Sequence, residues 1–103
     1  MKKMKQGRSH LPSENTRQSA ILKYLNTLHP DVYAAKVILC NRRGVPDILC
    51  CYKGKFIGLE VKVPNAKVPP HQIFQGKLIN IAGGGWWVVN DTDDVKKILK
   101  EMK

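Results

Sequence analysis

The chain has 103 residues, with 18 Lys and Arg against 8 Asp and Glu, a net charge of +10. This length fits one domain with a single modest core, and the excess of positive charge fits a polyanionic partner, nucleic acid above all. No apolar run approaches a membrane span, and no apolar segment follows the basic N-terminus as a secretory signal would require. The three cysteines (Cys40, Cys50, Cys51) form no C-x-x-C pair, and His10, His29 and His71 are scattered, which argues against a zinc site. Buried free thiols in a reducing cytoplasm are expected.

Residues 1–12 are polar and basic and lack apolar periodicity, so they read as a flexible tail preceding a single domain over 13–103. Ser13 has the chemistry of a helix N-cap, and the helix it opens is expected to stop before Pro30. Its apolar stripe is Leu28, Leu25 and Ile21. Carried back through Gln18, the stripe begins at Glu14. Glu14 could equally serve the helix dipole.

Val32 to Cys40 reads as a strand, and Asn41-Arg42-Arg43-Gly44 as a basic loop. Residues 47–52 and 56–63 read as two more strands, with Lys53-Gly54 as a tight hairpin turn. After a loop from Pro64, Pro70 suits the first turn of a helix to about Ala82, with Ile73, Phe74, Leu78 and Ile81 as its apolar face. Gly83-Gly84-Gly85 ends that helix. Trp86 to Val89 reads as a fourth strand, on which the two tryptophans alternate; one belongs to the core, and base stacking is open to the other. Asp91 or Thr92 then caps a last helix whose Val95, Ile98, Leu99 and Met102 face inward. Asp91, Asp93 and Asp94 read as capping and dipole residues, because the other ligands of a calcium loop are missing. The order α-β-β-β-α-β-α predicts an α/β fold, a mixed sheet of about four strands flanked by helices.

The hairpin brings charge into apolar sequence. With Lys53-Gly54 as a two-residue turn, Asp47 stands directly opposite Glu60. Two opposed carboxylates repel unless a cation sits between them, and a Mg²⁺-type ion is a natural one. Alternation along the strand puts Lys62 on the face of Glu60 and Val61 on the other. A metal beside a lysine suits phosphoester hydrolysis. The competing reading leaves both carboxylates in solvent, neutralised by Lys62 and Lys55.

The run Pro46-Asp47, twelve residues, then Glu60-Val61-Lys62 resembles the PD-(D/E)xK nuclease motif. More closely, the chain resembles the VRR-NUC family of that superfamily, over roughly residues 13–95. Glu14 matches an acidic residue on the first helix, Gly44-Val45-Pro46-Asp47 a Gly-x-Pro-Asp segment, and Gln72 a glutamine that opens the next helix. Pro69-Pro70-His71 stand where a small polar residue commonly precedes that glutamine. The resemblance implies a restriction-endonuclease-like fold. It implies that Asp47, Glu60 and the Val61 carbonyl hold Mg²⁺ (with Mn²⁺ as substitute), that Lys62 is the catalytic lysine, and that Glu14 and Gln72 complete the site, Glu14 joining the metal directly or through water. It implies endonucleolytic cleavage of DNA, selective for branched or four-way-junction structure, by a homodimer. Arg42, Arg43 and Lys67 are candidate phosphate contacts; no organic cofactor and no membrane partner are expected. A non-catalytic nucleic-acid-binding module on the same fold and an RNA-acting nuclease remain as alternatives.

Overall fold

Residues 11–102 are described by a computed structural model. The basic tail expected over 1–12 therefore falls outside the described residues, except for Leu11 and Pro12. Helix α1 spans Glu14–Asn26, and Ser13 caps it as expected, its hydroxyl accepting from the Thr16 N–H at 3.1 Å. Strands β1 (Val32–Lys36), β2 (Ile48–Tyr52) and β3 (Lys55–Val61) follow, then helix α2 (Pro70–Ile81), strand β4 (Gly85–Val89) and helix α3 (Thr92–Glu101). The strands lie in the order β1-β2-β3-β4; the first two pairings are antiparallel and β3 pairs with β4 in parallel. This is the mixed four-stranded sheet that the alternation of elements predicts.

The hairpin register is the one a two-residue turn demands. Tyr52 pairs with Lys55 and Ile48 with Leu59. Lys53 and Gly54 both have positive φ (49° and 86°), the backbone of a type I′ turn whose twist matches the flanking strands. Continued by one residue, this register puts Asp47 abreast of Glu60.

Period-two alternation separates the faces of the sheet. Ile57, Leu59 and Val61 join Val32, Ile48, Cys50 and Val89 on one face, where Ile21 and Leu25 of α1 and Val95 and Leu99 of α3 close the core. Helix α2 packs on the opposite face. Its line of approach differs from the expected one, since Phe74 and Ile81 are 57% and 82% exposed. The helix meets the sheet through Gly76, whose missing side chain leaves room for the Trp86 ring, and through Ile79, whose Cδ1 and Cγ2 lie against Gly58 and Gly84. A side chain at Gly76 would collide with the indole, so the close approach of helix and strand depends on that glycine. Trp86 thus packs under α2 and Trp87 at the edge of the core, and both indoles are half-buried.

Two further expectations change. The first strand ends at Lys36, not Cys40. Val37 still donates to the Asp47 carbonyl at 2.8 Å, but past that pair the segment opposite leaves the ladder for the basic loop. Ile38 and Leu39 consequently stand 87% and 92% exposed. Of the three free cysteines only Cys50 is buried; Cys40 and Cys51 are exposed.

Candidate active site

Four elements converge where β3 leaves the sheet. The loop before β2 supplies Asp47, the end of β3 supplies Glu60 and Lys62, α1 supplies Glu14, and α2 supplies Gln72. Asp47 is locked at both ends: its backbone carbonyl accepts from Val37, and its Oδ2 accepts from the Val61 N–H at 2.8 Å. Glu60 is fully buried, and neither of its carboxylate oxygens has a hydrogen-bond partner. That excludes the solvent-facing reading of the pair. The Lys62 ammonium lies 3.8 Å from Glu60 Oε2, on the face that strand alternation assigns it.

The electrostatics follow from this crowding. Glu60 is pushed up to about 8, first by burial, then by the Asp47 carboxylate, against the opposing effect of Lys62. The Asp47 carboxylate is also within hydrogen-bonding reach of a protonated Glu60, and Glu14 adds a smaller repulsion from α1. At neutral pH without a cation, Glu60 therefore holds a proton. A buried carboxyl with two unpaired oxygens beside a second carboxylate is costly as an isolated arrangement.

The backbone contributes another oxygen. The Lys62 N–H donates to Val89 O on β4 at 3.0 Å. The Val61 carbonyl shares that planar peptide and so points the opposite way, to the side on which Asp47 takes the Val61 N–H. The set is thus two carboxylates and a carbonyl, all hard oxygen donors. Among the described residues no group of three or more His, Cys, Asp or Glu side chains is arranged to hold a metal ion. An open set of this kind is nevertheless what Mg²⁺ takes, since the ion keeps several waters and binds through one or two carboxylates.

Register brings Gln72 toward the Glu60 end of the sheet. It lies one turn before Gly76 on the sheet-facing line of α2, and Gly76 sits over Trp86. Because α2 runs back against β4, one turn of about 6 Å toward its N-terminus matches two strand residues, from Trp86 to Val88. Val88 pairs with Glu60. Gln72 Oε1 is likewise buried without a partner. The Pro69-Pro70 opening does not disturb this: Pro70 starts the helix, as its fixed φ allows. Gly44 sets the approach of the loop. Its φ is +86°, and a Cβ there would stand 2.6 Å from the His71 carbonyl oxygen, so the loop leading to Asp47 docks on the first turn of α2 only through a glycine.

The three cations expected to meet phosphate are not part of the cluster. Arg42, Arg43 and Lys67 are exposed on loops. Arg42 borders an open groove of about 440 Å³ with Val45, Leu49, Phe56 and Leu78, which includes none of the carboxylates. Two polar residues near the site were missed as site residues in the sequence. Gln18, one turn after Glu14, is buried with an unpaired Oε1; its polarity within an apolar stripe was the available signal. Asn90 donates from its side chain to the Lys62 carbonyl, and no local pattern marks it.

Comparison with known proteins agrees with this architecture. No protein-family model and no curated protein matches the chain. Among solved structures, one described as "VRR_NUC domain" superposes with a TM-score of 0.73 at 25% identity, covering 87% of this chain and 97% of that one. A second, "VRR_NUC domain protein", superposes with a TM-score of 0.69 at 14% identity over 88% of each chain, and shares the fold.

Proposed function

We propose that this chain, similar over 87% of its length to a solved VRR-NUC domain, is a metal-dependent endonuclease that hydrolyses phosphodiester bonds in DNA. The observation that carries the reading is half-buried Asp47 beside fully buried Glu60, with two unpartnered Glu60 oxygens and Lys62 next to them. A binding module has no use for buried negative charge next to a phosphate.

Asp47, Glu60 and the Val61 carbonyl would hold a divalent cation, Mg²⁺ or Mn²⁺. Such an ion polarises a phosphoryl oxygen and lowers the pKa of a bound water. The chain's own groups supply the rest. Lys62 brings a positive charge to the same face as Glu60, where it stabilises negative charge developing on the phosphoryl oxygens and orients the attacking water. Gln72 offers an acceptor for one hydrogen of that water. Glu14, at the mouth of the site, adds a carboxylate that can join the ion directly or through water. Arg42, Arg43 and Lys67 give phosphate contacts outside the cluster, which position the backbone without reading sequence. Selectivity for branched or four-way-junction DNA belongs to this reading, as does a homodimer placing two sites on two strands. Supporting the dimer, Ile38 and Leu39 are exposed, as is Phe56, which lines the apolar groove; this is surface suited to a second copy.

The test is incubation of the purified protein with plasmid, single-stranded, junction and RNA substrates in Mg²⁺, Mn²⁺ or EDTA. Cleavage of DNA that stops in EDTA and in Asp47→Ala and Glu60→Ala supports the proposal. Cleavage that survives either change, or tight binding without cleavage in any metal, overturns it, and preference for RNA reassigns the substrate.

A further inference from the structure

Asn90 lies in the turn between β4 and α3, outside every motif of the site. Its backbone is fixed twice: its N–H donates to Asp94 Oδ2 at 2.8 Å, and its carbonyl accepts from Arg17 Nη1 at 3.0 Å. This leaves its side chain free for another task. The Nδ2 amide donates to the Lys62 carbonyl at 2.9 Å. The cap of α3 does not need that amide, since Asp91 accepts from the Asp94 N–H at 3.1 Å.

The contact falls where it has most leverage. Strand β3 ends at Val61, so Lys62 is the first residue that the sheet no longer holds along its length. Its N–H still reaches Val89 O at 3.0 Å. Its carbonyl faces the loop that begins at Val63, and Asn90 secures it. The peptides on both sides of the Lys62 Cα are thereby fixed by two successive residues, Val89 and Asn90, and the Cα–Cβ direction of the lysine with them. The same network reaches α1. Arg17 bonds the Asn90 carbonyl through Nη1 and the Pro12 carbonyl through Nε at 3.0 Å, and it lies one turn after Glu14.

We propose that Asn90 is a positioning residue for Lys62: its side-chain amide fixes the backbone that aims the ammonium, and Arg17 ties that point to the helix bearing Glu14. The proposal rests on the reading of Lys62 as the lysine of a nuclease site. A misplacement of about 1 Å of such a group can cost on the order of 100-fold in rate.

Two measurements test it, on Asn90→Ala and, should that variant fold poorly, on Arg17→Met. The first is amide hydrogen exchange by NMR without metal or substrate. The Lys62 amide should lose about tenfold or more of its protection while Ile57 and Leu59 keep theirs; unchanged protection at Lys62, or an equal loss throughout β3, overturns the proposal. The second is a double-mutant cycle on single-turnover cleavage in Mn²⁺. Asn90→Ala should lower the rate about 10- to 100-fold with unchanged DNA affinity, and should lower it no further in a Lys62→Met background. Equal losses in both backgrounds would mark a merely structural residue and overturn it. If the wild-type chain cleaves nothing, the nuclease reading falls, and the exchange measurement alone decides whether Asn90 holds Lys62.

Discussion

Over residues 57–61, strand β3 has two sides that are equally dry and otherwise opposite. On one, Ile57, Leu59 and Val61 are at most 1% exposed and packed among aliphatic side chains from α1 and α3. On the other, Glu60 is 0% exposed, yet both of its oxygens lack partners and its pKa is raised to about 8. The first side gains from exclusion of water, by roughly 1.5–3 kcal/mol for each large aliphatic side chain. The second side loses from it, because a carboxyl group gives up hydration and gains only the Lys62 ammonium at 3.8 Å and the Asp47 carboxylate in return. Burial therefore does not distinguish core from site in this strand; satisfaction of the buried groups does. A cation is the addition that would bring the second side into balance.

The difference can be broken on either side. Asp47→Asn, Glu60→Gln and Lys62→Met should each lower DNA cleavage by about 10²–10³-fold or more in single-turnover assays while leaving the fold intact by circular dichroism. Leu59→Ala, two atoms of chain away on the packed side, should do the reverse. It should cost about 2–5 kcal/mol in urea unfolding, with residual activity proportional to the folded fraction. Gly44→Ala acts on the seam between loop and helix. Strain at its positive φ and the clash with His71 should cost about 1–3 kcal/mol, and cleavage should fall beyond the loss of folded protein because Asp47 and Gln72 are no longer held together.

The smallest effect is a stability difference that grows with pH. In the metal-free protein, folded Glu60 titrates near 8 and its ordinary value is 4.5. Between these values the unfolded chain gives up the proton first, so wild-type stability falls as pH rises from about 4.5 to about 8. Glu60→Gln cannot ionise. Its advantage over wild type should be absent near pH 4.5 and grow to at least ~1 kcal/mol at about pH 8, roughly 4–8 °C in Tm. A thermal-denaturation series across that range, in a chelator, checks it.

Much of this was readable in the sequence because local rules and tertiary structure agree along most of the chain. Lys53-Gly54 set the turn, the turn set the register, and the register placed Asp47 opposite Glu60 before any packing was considered. Ser13, Pro70 and Asp91 marked helix starts in the same way. The misreadings came where partners distant in sequence decide. Val37 to Cys40 has strand composition, but the segment opposite leaves the ladder after Asp47. The sheet-facing line of α2 passes through Gly76 because Trp86 needs the space, so an apolar pattern built on Phe74 and Ile81 pointed the wrong way. Asn90 contacts Lys62 across 28 residues of chain, which no local pattern records.

The central claim is that Glu60 is buried ionisable for the sake of a cation, and calorimetric titration of Mn²⁺ into metal-free protein tests it most directly. Binding requires the carboxylate, so at about pH 7 each ion bound to the wild type should release close to one proton, and at about pH 9 almost none. Glu60→Gln should bind at least tenfold more weakly and release no proton at either pH. Equal Mn²⁺ affinity in wild type and Glu60→Gln, with no pH-dependent proton release, would contradict the account.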